Sequence, residues 1–242
     1  MTIIKPTPEA MYDAASTLRD GGVVAFATET VYGLGCDTFN EKAIEQVYSM
    51  KGRPLNNPMI AHVLDVSWVS GLTDHWDDRC ALLAMNFWPG ALTLVLPRRD
   101  NVPASACGGY DTIGIRCPSH PVATSLLEEF GRSISAPSAN RSGRISPTRA
   151  EHVDEEFDGK ITVLDGGACG HGIESTVLSL VSSPAVLRPG SISIEELEEC
   201  LGPVLHGDYQ EQIDSPGTSI RHYAPKTSVK LCSHDEIENT VD

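Results

Sequence analysis

The feature that most constrains the fold is the alternation of short apolar runs with amphipathic segments along most of the chain. Residues 11–18 repeat apolar side chains every three or four positions, which predicts a helix, and the apolar run 23–27 predicts a buried strand. The same patterns predict helices over 40–51, 77–87, 121–130, 146–157 and 193–201, and strands over 59–64, 92–96, 112–116, 134–136, 161–164, 176–180 and 185–187. Because strands alternate with helices and several strands are joined by short turns, the sequence predicts an α/β fold with a mixed parallel and antiparallel sheet.

Cysteine usage and the chain ends indicate the compartment. The seven cysteines are odd in number and widely spaced, without a CxxC pair, so neither a disulfide framework nor a zinc site is predicted. The N-terminus has no apolar core of signal-peptide length, and no stretch is long enough to span a membrane. We therefore expect a cytoplasmic protein that does not engage a membrane.

The charge balance limits the kind of partner. The formal net charge is −15, which argues against wrapping a nucleic-acid backbone and against stable direct binding of tRNA. A small anionic ligand held by a few local cations remains compatible with this charge.

One cationic cluster, Lys51–Pro58, combines two basic and two amide side chains with two prolines after a predicted helix. Such a loop suits a phosphate-rich ligand, because Arg53 can bind oxygens with its planar fork. The alternative is a solvated helix C-terminus, where cations are favoured in any case, and composition alone favours that alternative.

Two polar segments follow predicted strands, where ligand sites of α/β proteins tend to lie. Ser135–Gly143 carries small hydroxyl and amide side chains, and Thr28–Gly35 carries hydroxyls beside glycines. Either segment could bind a small polar ligand or be an ordinary polar loop.

The predicted strand Thr112–Arg116 places Thr112, Gly114 and Arg116 on one face. An arginine on an internal strand needs an anionic partner, which could be a structural carboxylate or a substrate carboxylate. His62 shares a face with Ile60 and Leu64 in the strand 59–64, and a lone histidine there is more often structural than catalytic.

Taken in order, these segments resemble the threonylcarbamoyl-AMP synthase family, also called the Sua5/YrdC/YciO family. The similarity lies in Thr28–Gly35, Lys51–Pro54, Asn57–Pro58, Trp88–Gly90, Thr112–Arg116, Ala136–Gly143, Ser146–Thr148, Glu174–Thr176 and Leu187–Gly190. The pairs Lys51/Arg53 and Ser138/Asn140 match the family's hallmark. The resemblance implies a single YrdC-like domain over residues 1–203, with a twisted mixed sheet and flanking helices around a concave pocket.

The resemblance also implies a nucleotidyltransferase reaction. L-threonine, bicarbonate and ATP, with Mg²⁺ accompanying the ATP, would give threonylcarbamoyl-AMP and pyrophosphate. The product would pass to a separate tRNA threonylcarbamoyl-transferase complex that forms t6A at adenosine 37 of ANN-decoding tRNAs. A non-catalytic RNA-binding module and a carbamoyl-transfer enzyme are the alternative hypotheses; the net charge weighs against the first.

Site residues follow from the resemblance position by position. Catalysis is assigned to Lys51 and Arg53, and no residue is assigned to a resident metal. ATP binding is assigned to Lys51, Arg53, Asn57, Thr112, Ala136, Ser138, Asn140, Ser146, Arg188 and Tyr223. Threonine binding is assigned to Thr28, His62, Arg116 and Ser175, with Arg116 pairing the carboxylate.

The tail resembles the linker of Sua5-type members through Ser215–Gly217 and Arg221–Pro225. The sequence thus predicts a linker over 204–228, with His222 and Tyr223 closing over the pocket. Residues 229–242, including a predicted strand at 229–232, are too few for the second domain that follows in Sua5-type proteins. We therefore expect that domain to be missing or truncated, with 229–242 as its remnant or start.

Overall fold

The computed structural model describes residues 2–206. Its strands form a single sheet in the order β1-β8-β2-β3-β7-β4-β6-β5-β9-β10. Their bounds are β1 Ile3–Ile4, β2 Val24–Phe26, β3 Gly33–Asp37, β4 Ile60–His62, β5 Leu92–Pro97, β6 Thr112–Arg116, β7 Ile134–Ala136, β8 Thr162–Leu164, β9 Thr176–Ser179 and β10 Ala185–Arg188. The pairs β1/β8, β2/β8, β4/β6 and β5/β9 are parallel and the others antiparallel, which confirms the predicted mixed sheet.

The helices flank this sheet. They are α1 Pro8–Arg19, α2 Glu41–Lys51, α3 Asp78–Phe87, α4 Pro121–Phe130, α5 Ala150–Glu156 and α6 Ile194–Leu201. Asn40 caps α2 by accepting the backbone N–H groups of Lys42 and Ala43, and Ser193 opens α6 with the predicted capping box. Within residues 2–206, every helix is too short or too polar to cross a bilayer.

The sheet interior positions the site. In the register, His62 of β4 lies opposite Arg116 of β6 on one side and Ile134 of β7 on the other. Phe26, Leu34, Leu94 and other large side chains are fully buried around these strands. The polar side chains that enter this region therefore stand on a rigid, tightly packed frame.

β3 departs from the prediction, which left Thr28–Gly35 as either a ligand-binding segment or an ordinary polar loop. Residues 33–37 form a fully buried strand between β2 and β7. A Cβ at Gly35 would lie 2.7 Å from both Phe26 and Ile134, so glycine is what lets the neighbouring side chains close over this strand. The two-residue β1 was also not predicted.

The helix predicted to start at Ser146–Pro147 starts instead at Ala150, after Arg149. The Ser146 hydroxyl donates to the Glu174 carboxylate, and the Pro147 carbonyl accepts the backbone N–H of Tyr32 at 2.9 Å. Because these groups bind other segments, they do not begin the helix.

The end of the described chain runs along β10. Val186 donates to the Leu205 carbonyl at 2.8 Å, and Leu205 donates to the Pro184 carbonyl at 2.9 Å. The predicted strand at 229–232, most of the linker 204–228, and the lid residues His222 and Tyr223 lie outside the described residues. The predicted boundary at 203 stays a prediction.

Candidate active site

An open cleft lies where the loop after β2, the end of β7 and the end of β10 converge. Most of the predicted site residues line it: Thr28, Arg53, His62, Arg116, Ala136, Ser138, Ser175 and Arg188. The prediction missed other lining residues: Thr30, Val31, Gly33, Pro58, Ile60, Pro137 and Glu174. All but Ile60 belong to segments that resemble the family, but most are small or apolar, so their chemistry did not single them out; Glu174 is the charged residue among them.

Arg53 is held rigidly in the cleft wall. Gly52 ends α2 in the left-handed conformation, with φ of 58°, and thereby turns the chain toward Arg53. The guanidinium donates from Nε to the Asn57 carbonyl at 3.0 Å and from one terminal nitrogen to Asn57 Oδ1 at 2.7 Å and the Pro58 carbonyl at 2.8 Å. Asn57 thus supports Arg53 and does not itself line the cleft.

Burial of Arg53 lowers its pKa to about 10, and the positive charge of Arg188 contributes to the lowering. Arg53 and Arg188 therefore belong to the same electrostatic region of the cleft. Two buried cations in one region favour an anionic ligand between or beside them.

Lys51 lies behind the cleft wall. Its side chain is on the buried face of α2 and is only 2% exposed. Nζ donates to the Ser138 carbonyl at 2.5 Å and to the Asn140 carbonyl, while the Lys51 carbonyl accepts the Ser142 N–H at 2.8 Å. Burial, with help from the charge of Arg53, lowers the pKa of Lys51 well below its ordinary value.

Arg188 and Ser175 fix each other. Arg188 donates from Nε and from a terminal nitrogen to the Ser175 carbonyl, at 3.1 and 2.8 Å, and also to Ser175 Oγ at 3.1 Å. Ser175 Oγ lies 2.8 Å from Thr93 Oγ1, and all three residues are buried. This network sets the position of the Ser175 hydroxyl at the cleft.

Arg116 pairs with a structural carboxylate, that of Glu29, which is one of the two kinds of partner that the sequence allowed. A terminal nitrogen donates to Glu29 Oε1 at 2.6 Å, and Nε donates to the Gly90 carbonyl at 3.2 Å. Burial alone would raise the pKa of Glu29, but attraction and hydrogen bonding from Arg116 outweigh it, so the pKa is lowered. Sequence reasoning missed Glu29, although Glu29 adjoins Thr28 at a strand end and Arg116 required an anion.

His62 is neutral at physiological pH. Burial, reinforced by the charge of Arg116, lowers the pKa of His62 to about 3. Its Nδ1 lies 3.3 Å from the Ile134 carbonyl, and its ring meets Phe26 edge-on with centroids 5.9 Å apart. A neutral imidazole in the cleft can donate or accept a hydrogen bond without adding charge.

Several predicted ATP-binding residues do not line this cleft. Thr112 begins β6 and Arg116 ends it, so the two residues are about 13 Å apart along the strand. Asn140 turns its Nδ2 to the Arg141 and Arg144 carbonyls, at 2.9 and 2.8 Å. Ser146 lines a neighbouring cavity that shares Glu174 with the cleft.

Gly190 allows the end of β10 to pack against the Glu174–Thr176 segment. A Cβ there would lie 2.4 to 2.5 Å from the Thr176 nitrogen, the Glu174 carbonyl oxygen and the Ser175 carbonyl carbon. We expect Gly190→Ala to lower the free energy of unfolding by about 1–3 kcal/mol, because backbone atoms cannot move aside cheaply. Denaturant unfolding tests this against Gly71→Ala, where no atom lies within 4 Å; equal stability of the two variants would contradict the packing argument.

The fold and the site define a class of protein: a mixed α/β domain with a polar cleft lined by three arginines and a glutamate. The chain belongs to the Sua5/YciO/YrdC family, whose model, described as telomere recombination, matches residues 16–190. A second model, described as the threonylcarbamoyl-AMP synthase C-terminal domain, matches residues 192–242. The expectation that this domain is missing is therefore wrong, because the tail that we assigned to a linker and a remnant matches its model.

Named relatives agree with this family. Threonylcarbamoyl-AMP synthase of Bacillus subtilis is 46% identical over 227 residues, which cover 90% of this chain and 65% of the relative. The structure of Pyrococcus abyssi Sua5 complexed with L-threonine superposes with a TM-score of 0.87 at 42% identity, covering 92% of this chain and 68% of that one. Escherichia coli YciO superposes with a TM-score of 0.72 at 25% identity, covering 81% of this chain and 97% of that one. This chain thus spans about two thirds of the length of its Sua5-type relatives.

Proposed function

We propose that this chain carries the active site of an L-threonylcarbamoyladenylate synthase, a nucleotidyltransferase that uses ATP, L-threonine and bicarbonate. The observation that carries the proposal is one cleft lined by three buried arginines: Arg53 and Arg188 in one region, and Arg116, with the neutral His62 beside it, in another. A triphosphate and an amino-acid carboxylate are two anions that such a cleft can hold side by side. The names of the Bacillus and Pyrococcus relatives support the same activity.

In this proposal Arg53 contacts the ATP phosphates directly. Lys51 and Asn57 support phosphate binding from behind, since both hold the cleft wall by hydrogen bonds. The nucleoside lies along Ala136, Ser138 and Arg188 and extends toward the cavity of Ser146. Thr112 has no part in this proposal, and Tyr223 lies outside the described residues.

Threonine occupies the region around Arg116. Its carboxylate pairs with the guanidinium, and its hydroxyl and amine face Thr28, His62 and Ser175. A neutral His62 suits a hydroxyl partner, because it offers a hydrogen bond without attracting a second anion.

The proposed chemistry needs no protein nucleophile. The threonine amine loses a proton and captures carbon dioxide derived from bicarbonate, which forms a carbamate. A carbamate oxygen then attacks the α-phosphorus as the bond to the bridging oxygen of the β-phosphate breaks, and pyrophosphate leaves with that electron pair. Positioning and charge stabilisation by buried, preorganised arginines are what the cleft contributes.

Mg²⁺ enters this proposal with ATP. Within residues 2–206, no group of three or more His, Cys, Asp or Glu side chains could hold a metal ion. Among the buried side-chain atoms without a hydrogen-bond partner in this part of the chain is Asn140 Oδ1, which belongs to a predicted site residue. These residues fit an ion that would be held mainly by phosphate oxygens and water. The ion would neutralise part of the phosphate charge.

The adenylate is proposed to pass to a separate tRNA threonylcarbamoyl-transferase complex for t6A37 formation on ANN-decoding tRNAs. A net charge of −15 opposes stable direct tRNA binding, so the small-molecule product is the natural link to the RNA.

Pyrophosphate release with ATP and bicarbonate, measured with and without L-threonine, tests the proposal. We expect release to require threonine and Arg116→Met to raise the threonine KM by at least about tenfold, because a charged hydrogen-bonding partner is lost. The KM for ATP should change little. Threonine-independent release, or an unchanged threonine KM in Arg116→Met, would contradict the assignment.

A further inference from the structure

Glu29 forms an ion pair with Arg116, the residue that the proposed function assigns to the threonine carboxylate. Its Oε1 accepts from Arg116 at 2.6 Å, and the two side chains are only 11% and 5% exposed. Thr28 and Thr30 line the cleft, whereas Glu29 between them does not. Glu29 therefore reaches Arg116 from outside the cleft lining.

Both carboxylate oxygens of Glu29 are engaged. Oε2 accepts the backbone N–H of Ser119 at 3.1 Å, and the backbone carbonyl of Glu29 accepts the N–H of His171 at 2.9 Å. One residue thus ties the loop after β2 to the end of β6 and to the loop that precedes β9. The position of Arg116 relative to the cleft depends on these ties.

The guanidinium of Arg116 keeps capacity for a second carboxylate. The contacts to Glu29 and to the Gly90 carbonyl use two of the five N–H groups that a guanidinium carries. A cation buried without a partner would be costly, and pairing with Glu29 offsets that cost. The same contact orients the guanidinium before a ligand arrives.

We propose that Glu29 is a positioning residue for threonine: it orients and neutralises Arg116 so that the remaining N–H groups face the substrate carboxylate. This inference rests on the proposed function. The opposing hypothesis is that Glu29 competes with threonine for Arg116. The two hypotheses differ in sign, since removing a positioning group weakens threonine binding and removing a competitor tightens it.

Glu29→Gln is the informative variant. Both oxygens of Glu29 accept N–H donors, whereas an amide offers one oxygen and one NH₂ group, so glutamine can satisfy only one of the two donors. We expect calorimetric titration of the 242-residue chain to show about tenfold weaker threonine binding, with ATP affinity within about twofold. Glu29→Asp keeps the charge with a shorter reach and should give a smaller loss; it replaces Glu29→Gln if that variant does not fold.

Asp37→Asn is the matched control. Asp37 is a buried acid that pairs with Arg132 at 3.2 Å, at the end of β3 away from Gly33 and the cleft. Threonine affinity should be unchanged in this variant. A loss equal to that of Glu29→Gln would mean that neutralising any buried, paired carboxylate has the same effect, and it would overturn the inference.

A double-mutant cycle with Arg116→Met separates positioning from general damage. If Glu29 acts through Arg116, the effect of Glu29→Gln disappears in the Arg116→Met background. Unchanged or tighter threonine binding in Glu29→Gln, or an equal loss in both backgrounds, overturns the inference. Failure of the unmodified chain to bind threonine is a separate result, and it would overturn the proposed function itself.

Discussion

Replacing Arg53 with alanine is expected to lower threonine-dependent pyrophosphate release by about a thousandfold. Three hydrogen bonds from the guanidinium to Asn57 and Pro58 hold it in the cleft, so its charge is in place before ATP binds. Such a preorganised cation stabilises charge that develops on the phosphates without reorganising during the reaction. Steady-state kinetics of pyrophosphate release, with circular dichroism to confirm folding, measures the effect.

Arg53→Lys should rescue little of this activity. A lysine ammonium cannot reproduce the planar fork that bonds Asn57 and Pro58 together, so the supporting contacts are lost although the charge remains. Arg99→Ala is the control, because Arg99 is a surface arginine paired with Asp74 at 3.2 Å and lies outside the cleft lining. Activity of Arg53→Ala within about tenfold of the unmodified chain would contradict the phosphate role.

Parts of the fold were predictable where a residue that starts or stops a helix, such as proline or glycine, stands at the end of an element in the structure. β6, α4 and β7 have the predicted bounds. For α4 the reason is local, because Pro121 sets its first turn and Gly131 ends it with a positive φ of 80°. β3 was not predictable from periodicity, because it contains glycines where strands usually carry large side chains. Only the packing of Phe26 and Ile134 over Gly35 shows why a strand forms there.

The site residues also divide into features that the sequence indicated and features that only the structure shows. An arginine at the end of an internal strand predicted an anionic partner, but the partner stands 87 residues away, and no local pattern pairs Glu29 with Arg116. For Lys51, composition favoured a solvated helix C-terminus, and the structure shows instead a side chain that is only 2% exposed. Lys51 lies on the face of α2 that also buries Ile44 and Val47, so the helical spacing was the better guide to its position than its charge.

Lys51→Met is expected to reduce pyrophosphate release by at least about a hundredfold while the protein stays folded. Methionine fills a similar volume but cannot donate to the Ser138 and Asn140 carbonyls, so the loop that carries Ser138 into the cleft loses its support. Loss of these hydrogen bonds destabilises the fold, whereas removal of a buried amine stabilises it. We therefore expect the free energy of unfolding at pH 7 to change by less than about 2 kcal/mol.

The pH dependence of stability distinguishes this buried amine from an ordinary surface lysine. Burial lowers the pKa of Lys51 well below 10.5, so between the lowered value and 10.5 the unfolded chain binds more protons than the folded protein. Stability from this group must then rise with pH up to about 10.5, and the unmodified chain should gain stability relative to Lys51→Met between pH 7 and 10. Lys160→Met is the control for the loss of a lysine at the surface, because the Lys160 side chain is 75% exposed. Parallel curves of unfolding free energy against pH for the unmodified chain and Lys51→Met would show that the amine titrates like a solvated one. The proposal that the buried Lys51 amine supports the Ser138–Asn140 loop would then be wrong.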